Sequence, residues 1–316
     1  MKKIVCIIIC AILLSAFFVC VRTTVMPVLM RGANYGTNSL IAIGEVNKLF
    51  IGSSMFRQGI DAQAISIEEG DSFLLSYNGN QPFMIKYQLE KLINNGVKIK
   101  TVFLDMYAYS LTAEPSLSDV RVLQENNLDF AFSMYETMKE SGTADFSDLY
   151  EMVLKSNNEM FITWPVSHPL INSRYVYGSN STKNVGGTEG KLKNLPLKFG
   201  NKELNDIQVE SLEKIINLCR ENKINIVFLE TPKYTYLYEG GNYCEIMTEY
   251  TNLLNKYGVK QIISQNTAEV CGFAENDNCI LYSFDSNNPS YFTDLLHMSS
   301  DGREVFTEIF KEIVTT

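Results

Sequence analysis

Apolar residues in this chain gather into short continuous runs, and between the runs their spacing changes to threes and fours. Residues 46–51, 73–77, 100–104, 224–229, 259–264 and 280–283 are compact apolar stretches of strand length. Residues 83–94 carry Phe83, Ile85, Leu89, Leu92 and Ile93 close to helical spacing and stop at Asn95-Gly96. Residues 204–219 give a second amphipathic helix. From about Arg303 a last helix places Val305, Phe306, Ile309, Phe310 and Ile313 on one face. Runs without alternation suit strands buried on both faces, and their alternation with helices predicts an α/β fold, a parallel sheet covered on both sides.

Two stretches break the alternation. Residues 116–158 are helix-prone but acidic and read as an inserted helical segment or cap. Residues 177–201 are rich in Gly, Ser, Asn and Lys, the composition of an exposed loop or of a lid beside a site. The N-terminus differs from both. Ile4 begins 18 residues without a charge, ending at Val21, and as a helix they would span about 27 Å, near the thickness of a bilayer core. Lys2 and Lys3 precede them, which keeps the N-terminus cytoplasmic and the rest of the chain outside. A cleaved signal peptide is the rival reading, but no small residues follow Val21 at a cleavage spacing. The bulky Phe17, Phe18 and Val19 before Cys20 also fit a lipoprotein signal poorly.

A net charge of -9 leaves no basic surplus to neutralise phosphates, which argues against nucleic acid as a partner. Of seven cysteines, Cys6, Cys10 and Cys20 fall in the anchor. Cys271 and Cys279 flank a loop-like stretch, as a disulfide pair or as two buried thiols; Cys219 lies on an apolar helical face. With two histidines and no Cys-x-x-Cys, no metal site is expected. Gly186-Gly187-Thr188-Glu189-Gly190-Lys191 misses a phosphate-loop pattern, because Val185 and Leu192 stand where Gly and Ser or Thr are required. Asp61, Glu68, Glu69 and Asp71 read as a solvated face rather than a cation site.

The chemistry concentrates at two places. Leu49-Phe50-Ile51 leads into Gly52-Ser53-Ser54, which sets a serine at the exit of the first strand, with Gly52 allowing the tight turn. Near the other end stands Asp294-Leu295-Leu296-His297, followed by Gly302 and the last helix. An acid three residues before a histidine lets one turn present both, the histidine as base and the carboxylate to fix its tautomer. Gly70-Asp71-Ser72 precedes its apolar run, so Ser72 belongs at the wrong end of a strand. His168, in Pro165-Val166-Ser167-His168-Pro169, has no comparable context and reads as structural or pocket-lining.

Together the two segments resemble the SGNH (GDSL-type) family of esterases and acyltransferases. The resemblance covers about 46–105 and 281–316 and implies a three-layer α/β/α, flavodoxin-like domain. Ser54 matches the nucleophile, with Ser53 at the usual Asp position and as the lesser alternative; His297 matches the base and Asp294 its orienting acid. The second block implies Gly79 as an oxyanion donor. The third block's Asn is absent: Asp105-Met106-Tyr107 stands there, so Asn78, Asn80 or Tyr107 would have to donate instead. In this the chain is similar to envelope branches of the family, among them D-alanyl transfer proteins of teichoic acid assembly and polysaccharide acetyltransferases. The implied organisation is an anchor over 1–22, a tether over 23–45 and a hydrolase-like domain over 46–316 with insertions at about 110–160 and 165–203. The implied activity is extracytoplasmic ester cleavage or O-acyl transfer on an acylated envelope polysaccharide or small ester, without a cofactor or metal. The alternative is a non-catalytic accessory or glycan-binding protein beside a membrane acyltransferase.

Overall fold

The computed structural model describes residues 2–20, 36–66, 71–119, 121–124, 126, 128–156, 175–176, 178–180, 183–196 and 203–315. His168, Glu68, Glu69, most of the 23–45 tether and parts of the 165–203 stretch lie outside the described residues.

Eight strands are present among the described residues: β1 (Glu45–Gly52), β2 (Ser72–Ser76), β3 (Lys98–Asp105), β4 (Tyr175–Val176), β5 (Ser179–Asn180), β6 (Asn225–Leu229), β7 (Lys260–Ser264) and β8 (Cys279–Tyr282). Six of them form one sheet in the order β2-β1-β3-β6-β7-β8, every pair parallel; β4 and β5 make a small antiparallel pair. The runs legible in the sequence are these six strands: β1 and β3 are longer than their runs by one or two residues at each end, β6 and β7 begin one residue later, and β2 and β8 are shifted one residue toward the N-terminus.

Both faces are covered. Helix Pro82–Asn94 packs with Asp206–Glu221 on one side, and Ser54–Gly59 packs with Ser300–Thr315 on the other. On the second face Phe50 and Phe103 stack at 4.9 Å, and Phe310 of the last helix meets both rings edge-on at 5.6 and 5.4 Å. Leu49, Ile51, Val102 and Leu104, the alternate residues of the same strands, are buried toward the first face. The acidic stretch after Ser116 forms the helices Arg121–Gln124, Leu128–Glu140 and Phe146–Lys155, the last started by a capping box between Asp145 and Asp148. Asp61 likewise caps a short helix through the amide of Ala64, while Asp71 takes Asn47 and Lys48 as partners.

At the N-terminus Lys2–Cys20 is helical, with Ile4, Ile7, Leu13 and Phe17 among its exposed apolar side chains. The side chains of Phe18 and Val19 lie outside the described residues, and over the described residues no helix is long and apolar enough to cross a membrane.

One cysteine expectation is corrected. Cys244 and Cys271 form the disulfide, their Cα atoms 4.9 Å apart, and Cys279 is a buried free thiol. The loop between 271 and 279 is short in sequence, but Cys279 enters β8 and points into the core. Cys244, at the start of helix Tyr243–Tyr257, meets the end of helix Gln265–Cys271 across the sheet's flank.

Candidate active site

The strand order reverses direction between β1 and β3, and in an open parallel sheet the crevice beyond the carboxyl ends at such a point is where ligands gather. β1 leaves the sheet there at Gly52. A Cβ on Gly52 would lie 2.3 Å from Cβ of Asp105 on β3, so no larger residue fits while the strands keep this spacing. Ser53 is the N-cap of helix Ser54–Gly59, its Oγ accepting from the Met55 amide at 3.2 Å. That hydroxyl also donates to Asp105 Oδ2 at 2.5 Å, and the Ser53 amide donates to the same oxygen at 3.0 Å. Ser53 is therefore fixed and buried, and Ser54 is the residue left to face the crevice.

Ser54 Oγ lies 2.9 Å from His297 Nε2. His297 Nδ1 lies 2.8 and 3.0 Å from the two oxygens of Asp294. Asp294 Oδ1 also accepts the amides of Leu296 and His297, at 2.8 and 2.9 Å, so the turn that carries the acid is tied to the backbone of the base. Burial raises the Asp294 pKa, but the hydrogen bond and charge of His297 and the two amides outweigh it, and the carboxyl is held below its ordinary range. With Asp294 ionised, the Nδ1 hydrogen points to it and Nε2 accepts from Ser54. Gly302 then lets the last helix start tightly, since a Cβ there would meet the Tyr291 carbonyl oxygen at 2.2 Å.

The second-block loop is fastened to the same turn. The Gly52 carbonyl accepts from the Tyr77 amide and from Asn80 Nδ2, both at 3.2 Å. Asn80 gives its other amide hydrogen to Gln88 Oε1 at 3.0 Å, so this buried side chain braces the turn and has no hydrogen left for an oxyanion. Gly79 has φ +57°, and a Cβ there would run into Ser118. The backbone N–H groups of Gly79 and Ser54 have no hydrogen-bond partner among the described residues. Asn78 gives its own amide to Asp119 Oδ2 at 3.0 Å, and its exposed side chain is unengaged among the described residues. Tyr107 is half-buried. Burial, then Tyr109, Asp105 and Asp294, raise its pKa, so it remains a neutral phenol beside the acids.

Ser72 begins β2 at the opposite edge of the sheet, away from His297. The described part of the Gly- and Asn-rich stretch lies against the loop that carries the triad: Gly187 donates to the Phe292 carbonyl at 2.7 Å, and Asn184 and Ser300 exchange two hydrogen bonds.

Sequence reasoning missed what lies beneath. Glu230, Lys233 and Asp105 are all buried at the carboxyl edge. Glu230 accepts from Tyr243 Oη, Thr267 Oγ1 and the Ser264 amide at 2.6, 2.9 and 3.1 Å. Lys233 donates to the carbonyl and hydroxyl of Thr231 at 2.7 and 2.8 Å. The available signal was a Glu and a Lys closely following an apolar run, Leu229-Glu230-Thr231-Pro232-Lys233, at a strand's exit.

No family model matches the chain, and no curated protein matches it. Solved structures do align over most of its length. A candidate platelet activating factor from Streptococcus pneumonia is 12% identical, over 96% of this chain and 98% of that one, with a TM-score of 0.37. A GDSL-like lipase from Bacteroides thetaiotaomicron is 8% identical over 86% and 88%, with a TM-score of 0.34. A candidate acylhydrolase from Bacteroides fragilis is 10% identical over 86% of each chain, with a TM-score of 0.34. Likenesses of this strength assign no chemistry to the chain, and the site's own geometry carries the reading that follows.

Proposed function

We propose that this chain is a membrane-anchored, extracytoplasmic serine enzyme that cleaves or transfers ester-linked acyl groups. The observation that carries the reading is the unbroken series Ser54 Oγ, His297 Nε2, His297 Nδ1, Asp294 Oδ2, at 2.9 and 2.8 Å. Ser54 attacks the ester carbonyl carbon as its proton passes to Nε2. That proton then goes to the departing alcohol, which leaves an acyl-serine. Water or a sugar hydroxyl next gives its proton to Nε2, attacks the acyl carbon and releases Ser54. The first acceptor makes the enzyme an esterase, the second an O-acyltransferase. The Ser54 and Gly79 amides are the donors assigned to the oxyanion, in place of the missing Asn side chain. Acylated envelope glycans are the proposed substrates; the apolar N-terminal run supports a position outside the membrane, and so does the disulfide, which suits an oxidising compartment.

A second reading has one observation in its favour. Asp105 stands where an oxyanion Asn is expected and Asn80 is already engaged, as in an accessory protein that keeps the fold without turnover. One experiment separates the two. Full-length protein in detergent is treated with a fluorophosphonate probe beside Ser54→Ala and His297→Ala. Labelling of the native chain that falls by about a thousandfold or more in both variants supports the enzyme. A folded native chain that resists the probe supports the accessory role.

A further inference from the structure

The loop Glu230-Thr231-Pro232-Lys233 leaves β6 directly beside Asp105, which pairs in register with Leu229. Its next residue, Tyr234, donates its amide to the Leu295 carbonyl at 3.1 Å, between Asp294 and His297. The loop thus bridges the two halves of the site, and its lysine is 0% exposed. Nothing in the ester chemistry calls for a buried ammonium. Among the described residues its only hydrogen bonds run to Thr231, within its own loop, and leave the charge for its surroundings.

Those surroundings are acidic. Burial pushes the Lys233 pKa down, and the charges of Glu230 on its own loop, Asp105 at the end of β3 and Asp294 in the triad loop work against that, with no direct ion pair to any of them among the described residues. Burial likewise raises the Asp105 pKa, against which act the charge of Lys233, the two hydrogen bonds from Ser53 and the charge of His297. The remaining titratable groups around the cluster are phenols: Tyr107 beside Asp105 and Asp294, Tyr250 beside Asp105, and Tyr238, Tyr243 and Tyr282 beside Glu230. All five are pushed upward chiefly by burial and stay neutral, which leaves Lys233 the one buried cation facing three carboxylates among the described residues. Asp105 is where that matters. Its Oδ2 holds the amide and hydroxyl of Ser53, while its buried Oδ1 has no hydrogen-bond partner among the described residues, so the charge of Lys233 is the lysine counter-charge that acts on it.

We propose that Lys233 is a positioning residue of this site: its ammonium favours Asp105 as an ionised acceptor for Ser53, which holds Ser54 against His297. The inference rests on the serine-enzyme reading. It also explains the departure at the third block. Asp105 serves the nucleophile's turn from behind, and Lys233 offsets the carboxylate that would otherwise repel an oxyanion. Loss of the ammonium leaves three carboxylates without a neighbouring cation, and they then keep their protons to higher pH.

The test is the rate of fluorophosphonate labelling as a function of pH, on full-length protein in detergent. The variants are Lys233→Met, Lys233→Gln, Asp105→Asn and the double change Lys233→Met with Asp105→Asn. Thermal melting checks that each is folded. Both Lys233 variants are expected to label about tenfold more slowly at pH 7, with the acid limb of the profile moved up by roughly one pH unit. Asp105→Asn keeps an acceptor for Ser53 but removes a negative charge, so its limb moves down. In the double variant the limb returns toward the native position, because the opposed charges go together. Lys233→Gln keeps a donor for Thr231 and serves where Lys233→Met fails to fold. A folded Lys233 variant whose limb stays at the native pH overturns the proposal, even if labelling is slower, since packing alone would do that. A native chain that does not label instead overturns the serine-enzyme reading itself.

Discussion

The two ends of the central sheet are built from the same strands and treat polar groups in opposite ways. β1 and β3 share one profile, with exposed residues at their amino ends and four buried positions at their carboxyl ends. At the amino edge Glu45, Lys98 and Lys260 stand in water. A cleft of about 480 Å³ opens there beside Lys48, Lys100 and Lys260, over a floor that includes Phe103 and Ile262. At the carboxyl edge Ser53, Ser76, Asp105, Glu230, Lys233 and Ser264 are all buried. Solvated charges at the first edge cost almost nothing, whereas each buried ion at the second costs several kcal/mol unless it is matched. A fold that needed only its core would have no reason to concentrate that cost at one end. The asymmetry therefore marks the site independently of any motif.

Substitutions that strike one edge at a time sharpen this contrast. The largest effect on stability is expected from Glu230→Ala, which strands the Tyr243 hydroxyl, the Thr267 hydroxyl and the Ser264 amide beside a buried lysine. Urea unfolding should show a loss of about 3–5 kcal/mol, and a loss under 1 kcal/mol would deny that the cluster is tightly matched. Gly52→Ala comes next. Its methyl must push β1 away from Asp105, which should cost about 1–3 kcal/mol by the same measurement and slow probe labelling as well. The smallest change belongs to the amino edge. Lys48→Ala breaks the 2.5 Å contact with Asp71, a pair only 19% and 10% exposed; because Asp71 keeps its bond from Asn47, the change is expected to cost about 1–2 kcal/mol and to leave labelling unchanged. A labelling defect in Lys48→Ala would erase the distinction between the two edges.

What the sequence disclosed follows the range of the interactions involved. The six sheet strands were legible because parallel strands buried on two faces leave uninterrupted apolar runs, as in Leu49-Phe50-Ile51 and Val102-Phe103-Leu104. The contact between Asp294 and His297 was legible because three residues and one turn join them. Helix Asp206–Glu221 starts two residues later than its apolar pattern suggested, because Asn205 caps it by accepting the amides of Ile207 and Gln208. The bonds from Ser53 to Asp105 and from Thr267 to Glu230 were not legible. They join residues 52 and 37 positions apart, and only the register of the sheet brings those together. The disulfide's pairing was not legible for a related reason: nearness in sequence offered Cys279 as a partner for Cys271, while the packing of two helices chose Cys244. Asn80 stood beside Asn78 and Tyr107 as an alternative oxyanion donor because its type and place fitted; its engagement with Gly52 and Gln88 depends on a helix the motif does not contain.

The separation of 243 residues between Ser54 and His297 has a consequence in time. During synthesis Ser54, β1 and its partners β2 and β3 are all made long before the turn that carries the histidine. Throughout that interval Ser54 is a hydroxyl with no base in reach, as inert as any surface serine. Reactivity arrives only when the last helix closes over Phe50 and Phe103 and swings His297 into place. On the proposed serine-enzyme reading, the molecule cannot be armed while it is still leaving the ribosome, and a chain broken short of that helix would be harmless to the esters around it.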